Sequence, residues 1–193
     1  MKFVFRKEFM DGWEYLKKSK NYIYSIILIF FFFTLVGFFV SPPEEVSKQI
    51  FEYIQTLLEK TAGFGLFEMI QFIFFNNLKS SFIGLFSGIF VGLFSLINGI
   101  LNGYLLGFVS SLSVQEAGIF SLWRIFPHGI FELPAIFISL GLGLKMGSFV
   151  FRKKKIPFLR TSILNSVKVF FLIVLPLLLI GSIIEGILIV FSR

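Results

Sequence analysis

Apolar residues run in long blocks separated by short polar or basic stretches, and the block lengths predict membrane-crossing helices. The first block, Tyr22–Val40, approaches the roughly 20 residues needed to cross a bilayer core of ~30 Å. It is too late and too long for a cleaved signal peptide, and no small-residue cleavage site follows it. Blocks near 128–151 and 166–191 have the same character. Between them and the first block, the apolar core Phe82–Val109 covers 28 positions. Two full crossings need about 40. Extending it back to Ile70 brings Asn76, Asn77 and Lys79 into the membrane zone. The turn signals inside it are Asn98-Gly99 and Asn102-Gly103. The expectation is a tight helical hairpin over 82–110 turning at Asn98, Gly99 and Asn102, either as two short tilted spans or as a re-entrant hairpin reversing at membrane depth.

Two further stretches have helical periodicity without the length to span. Ser41-Pro42-Pro43-Glu44 reads as an N-cap, a proline at the first helical position and a capping-box glutamate. Val46, Ile50, Tyr53, Ile54, Leu57 and Leu58 follow at helical spacing, predicting an extracytoplasmic amphipathic helix over 42–60. Phe9, Trp13 and Leu16 are spaced likewise and predict a cytoplasmic amphipathic segment over 1–20.

Composition raises these blocks from buried core to membrane spans. The chain is 56% hydrophobic with 30 phenylalanines, and its mean hydropathy is +0.88. About 45–50% apolar residues is usual for a soluble domain. The fold class is therefore an all-α integral membrane protein, one transmembrane domain over 1–193 with about five spans. Cysteine is absent, which excludes a disulfide framework, a thiolate metal site and a cysteine nucleophile.

The net charge of +7 gathers in residues 1–21 and 152–168, whereas 41–68 is acidic. Short basic loops stay on the cytoplasmic side, so this distribution places the N-terminus and 152–168 inside and 41–68 outside. Two crossings or one re-entrant dip then connect 68 to 127. No aromatic–basic interleaving accompanies the charge, and no nucleic-acid partner is expected. Phosphate loops, serine nucleophile elbows and dinucleotide fingerprints are also absent from the sequence.

Glycines recur every four residues at Gly84, Gly88 and Gly92 and again at Gly99, Gly103 and Gly107, with Gly143 and Gly147 on the 128–151 span. Small residues at this spacing let helix backbones approach, either within the bundle or between copies in a homo-oligomer. Five polar side chains can converge in the outer half: Asn76, Asn77, His128, Glu132 and Glu185. His128, the one histidine, and Glu132 share a helix face. Pro134 removes the hydrogen bond to the Ile130 carbonyl beside them. Ionisable groups at such depth are costly and mark function by default. Three readings remain: a structural clasp, a substrate, proton or ion site, and a catalytic or metal site, for which His128, Glu132 and Glu185 form an acceptable zinc set. Lys145, near the inner end, is expected to extend to the cytoplasm.

At these residues the chain resembles the stage II sporulation protein M family of prokaryotic membrane proteins. The strings that carry the likeness are Phe75-Asn76-Asn77, the glycine ladder from Gly84, Asn98-Gly99 with Gly107, Pro127-His128-Gly129 with Glu132 and Ala135, and Gly141, Gly143 and Gly147. It covers residues 70–150, with the flanks alike in hydropathy. The resemblance implies an all-helical protein of about five spans in the cytoplasmic membrane of a prokaryote. In endospore formers the family is associated with engulfment, as a membrane partner that localises cell-wall hydrolases. The expected function is a membrane scaffold with membrane or cell-envelope protein partners. The alternatives are a transporter or channel-like protein and an intramembrane metal-dependent enzyme.

Overall fold

The structure, a computed structural model, describes residues 2–124 and 126–191. The side chains of residues 2–5, 123, 124, 126–128 and 131 lie outside the description. The described chain is helical throughout: α1 (Lys2–Lys18), α2 (Lys20–Phe39), α3 (Glu44–Thr61), α4 (Leu66–Phe86), α5 (Leu93–Ala117), α6 (Phe126–Gly147), α7 (Lys155–Val169) and α8 (Leu175–Phe191). Four helical stretches are long and apolar enough to cross a membrane: Lys20–Phe39, Leu93–Ala117, Glu132–Phe151 and Lys155–Phe191. In the last, Pro176 has no N–H for the Leu172 carbonyl, and the helix widens into a π-turn over Phe170–Val174.

Helix α6 is the hub. On one side it packs against α4 and α8 through Leu85, Ala135, Leu142, Met146, Val174 and Leu178. On the other it meets α2 through Ile26, Phe30, Phe137 and Leu140, with α5 paired to α2 beyond. Helix α1 lies on α7, where Gly12 touches Val169 and Lys168 pairs with Glu8.

Two local expectations need correction. The hairpin does not turn at Asn98, Gly99 and Asn102, which lie inside α5. It reverses over residues 87–92, through a 3-10 turn at Ser87–Ile89 and left-handed backbone at Val91 and Gly92, with φ of 59° and 74°. The arms are therefore α4 and α5, longer than 82–110. Asn98-Gly99 needs no reversal because its groups are spent along the helix: the Asn102 side-chain amide donates to the Asn98 carbonyl at 2.8 Å. Helix α3 starts at Glu44 with Pro43, not Ser41, at the cap. A residue before proline is pushed to extended backbone, so Pro42 cannot open a helix ahead of Pro43.

The glycine ladder is spent on helix contact. A Cβ at Gly103 or Gly107 would strike the backbone carbonyl of Phe30 or Thr34 on α2, and one at Gly37 would strike that of Tyr104. Gly88 lies on the Gly143 backbone and Gly147 on that of Gly92, while a Cβ at Gly84 would come 2.6 Å from Leu140. The α4–α5 turn is thereby seated at the end of α6 that leads into Arg152–Lys155.

Candidate functional site

Helices α4, α6 and α8 bring polar groups together. Glu132 stands in the first half of α6, Glu185 on α8 and Asn77 on α4, and both neighbours act on the Glu132 carboxyl. Helices α6 and α8 pack together, and Glu185 acts on the Glu132 carboxyl across their contact. Glu132 is 8% exposed. Its Oε1 and the Oε2 of Glu185 have no hydrogen-bond donor. Two bare charges in such surroundings would be very costly.

Asn76 is not part of this cluster. Neighbours on a helix point about 100° apart, so while Asn77 faces the bundle, Asn76 is exposed on the far side of α4. There it lines a surface cleft with Phe64, Glu68, Gln71, Phe72, Phe75 and Lys79. The side chain of His128 lies outside the described residues. Among the described residues no group of three histidine, aspartate or glutamate side chains could hold a metal ion. Glu132 and Glu185 would supply two ligands, and the zinc expectation turns on His128.

A second polar cluster, at the opposite end of α6, was not expected. Lys145 does not reach out to the cytoplasm but is 8% exposed. Its ammonium donates to Ser19 Oγ at 2.8 Å and sits 3.6 Å from the centre of the Tyr15 ring. Ser19, wholly buried at the α1–α2 junction, donates in turn to the Tyr15 carbonyl at 2.7 Å. The Tyr15 hydroxyl faces Ser162 and Ser166 of α7 without closing a well-formed hydrogen bond. Burial pushes that hydroxyl above the ordinary tyrosine range, with the two serines opposing. Outside this cluster the exposed Glu14 carboxyl is held below its ordinary value by Lys18, 2.7 Å away. Lys145, as the basic residue within the apolar run 129–151, was the available signal. What concealed the cluster is that its partners come from residues 15–22.

The family profile of Stage II sporulation protein M matches residues 26–188. The likeness therefore reaches well beyond 70–150 into both flanks. No curated protein and no solved structure matches the chain. The matched stretch runs from α2 to α8 and takes in the glycine-packed pair and the Asn77–Glu132–Glu185 cluster alike, and the chain belongs to the stage II sporulation protein M family.

Proposed function

We propose that this protein is a membrane scaffold, a small rigid bundle that holds membrane or cell-envelope partners. The observation that supports it is the outward face of α4. This helix lies along two spans: Ile70 packs on Gly186 of α8 and Gly84 on Leu140 of α6, and Gly88 in the turn that follows lies on Gly143 of α6. Its opposite face exposes Gln71, Asn76 and Lys79. Lys79 is about 20 Å along the helix from Leu66 at 1.5 Å per residue, well within the hydrocarbon zone. Lysine and asparagine facing lipid there are costly, whereas polar side chains between membrane helices hold them together. This face fits a partner helix, and α4 is then a fifth crossing.

The remaining placement follows from charge. The N-terminus and the 152–155 loop lie inside the plasma membrane of a prokaryote, by the positive-inside rule. A single cysteine at Phe90, in the otherwise cysteine-free chain, would react with an impermeant thiol reagent from the cytoplasmic side. Reaction from the outside would overturn the orientation.

The scaffold reading is tested with Phe75→Cys, next to the polar stripe, carrying a photo-crosslinker in native membranes. The expected result is a discrete adduct that the double substitution Asn76→Leu and Lys79→Leu abolishes while the bundle stays folded. An adduct of twice the chain mass would identify the partner as a second copy. Crosslinking to lipid alone would reject the reading.

The facing carboxyls of Glu132 and Glu185 favour a second reading, transport of protons or cations through the bundle. Purified protein in liposomes would then dissipate a pH or cation gradient, and Glu132→Gln would stop it. Vesicles that hold their gradient as well as empty ones leave the pair as a clasp.

A further inference from the structure

The cluster around Lys145 holds a buried ammonium with no anion against it among the described residues. Buried charges are ordinarily paired, and neither ion pair among the described residues includes Lys145: Lys18 is engaged with Glu14 and Lys168 with Glu8. The charged groups that act on the Lys145 ammonium are both cations, Arg152 and Lys18. Of its three N–H donors, one is given to Ser19 Oγ.

Arg152 is tied to the same spot by a chain of hydroxyls. Its Nη2 donates to the Tyr22 hydroxyl at 3.0 Å, Tyr22 to Ser148 Oγ at 3.1 Å, and Ser148 to the Lys145 carbonyl at 2.7 Å. This chain joins the start of α2 to the end of α6 and ties the exposed guanidinium to the backbone of the residue that carries the buried ammonium. Arg152 begins the basic run Arg152–Lys155.

Cations that repel one another at fixed positions, in the end of a membrane bundle, suit an anion with several acceptor oxygens. Basic pockets between membrane helices on the cytoplasmic side take phospholipid headgroups. Guanidinium and ammonium groups together bind phosphate by charge-assisted hydrogen bonds. We propose that Lys145 and Arg152, positioned by the Ser19 and Tyr22 hydroxyls that accept from them, form a binding site for the phosphate of an anionic phospholipid headgroup. Tyr15 is the aromatic floor that holds the Lys145 ammonium in place. The site shares no residue with the Glu132 cluster or the α4 face and stands whether or not the scaffold reading does.

The test is thermal unfolding of the delipidated full-length chain in a non-ionic detergent. Short-chain phosphatidylglycerol, short-chain phosphatidylcholine and inorganic phosphate are titrated in separately. Phosphatidylglycerol should raise the transition saturably and phosphatidylcholine should not. Arg152→Gln, an exposed position that leaves the fold intact, should raise the phosphatidylglycerol concentration for half effect about tenfold, as expected for one charge-assisted contact. Lys145→Met should remove the response if it folds. Lys154→Gln, on the same loop but outside the hydroxyl chain, should titrate like wild type. If inorganic phosphate alone gives the shift and blocks the lipid, the site is a phosphate site fed from solution rather than from the bilayer. Equal responses to the two lipids, or equal weakening by Arg152→Gln and Lys154→Gln, would overturn the proposal in favour of diffuse attraction.

Discussion

Between α2 and α5 the backbones touch. Gly103 and Gly107 lie on the Phe30 and Thr34 carbonyls, and Gly37 returns the contact to Tyr104. Between α4, α6 and α8 the polar layer is made by side chains instead, with Asn77, Glu132 and Glu185 reaching across the gap. Both interfaces hold helices together in surroundings where hydrocarbon inside the protein resembles hydrocarbon outside. The first does so by removing side chains so that dispersion contacts are dense. The second does so by giving polar groups one another as partners. A glycine contact against backbone has no atoms that can move aside, whereas a polar layer can be exchanged for apolar groups of similar size. The two interfaces should therefore respond oppositely to substitution.

The largest effect is expected from Gly107→Leu or Gly103→Leu. The added side chain would meet a carbonyl of α2, and forced separation should cost about 3 kcal/mol or more. Thermal unfolding and gel filtration of the purified variants would read this as loss of the monodisperse species. Retained stability would show that the two helices are not in backbone contact.

Next come the carboxyls. Glu132→Ala leaves the enclosed Oε2 of Glu185 without its neighbour and should destabilise by about 2 kcal/mol, within the range for a stranded polar group. The double substitution Glu132→Leu and Glu185→Leu should recover most of that loss or exceed wild type, since a buried polar pair can be replaced by packed apolar groups. A double mutant worse than the sum of the singles would mean that the layer is specified by more than its own polarity.

The turn at 87–92 supplies an intermediate case. Gly88→Ala places a methyl on the Gly143 backbone and should cost about 1–2 kcal/mol, because the turn can shift where a mid-helix contact cannot.

The smallest effect sharpens the comparison within one helix. Gly99 shares the four-residue spacing of Gly103 and Gly107, yet a Cβ there would meet Ile26 and Leu140 side chains at an ordinary 3.8 and 3.9 Å. Gly99→Ala should be neutral or stabilising by up to about 1 kcal/mol, from the higher helix propensity of alanine. A large loss would place backbone against it.

Helical identity, span length and amphipathic α3 are properties of short stretches. They follow from the period and extent of apolar positions, which is why they were legible along the chain alone. Depth was legible too: counting residues from the helix ends is enough to set Glu132 and Glu185 in the same half of the bundle. Azimuth was not. Asn76 and Asn77 are adjacent and chemically identical, and only the packing of α4 on α6 and α8 decides that one faces the cluster and the other faces out. The same holds for Asn98-Gly99. The pair can close a turn or lie within a helix, and α2, some 70 residues earlier, selects the helix by receiving the glycine face of α5. Lys145 shows the limit most plainly. A lysine near a span end can extend to water, but Tyr15 and Ser19 arrive from the other end of the sequence and enclose it. Local periodicity prescribes which residues of a helix share a face and how deep they lie. Which neighbour covers that face is a property of the assembled bundle, because it depends on contacts between segments whose separation in sequence carries no periodic signal.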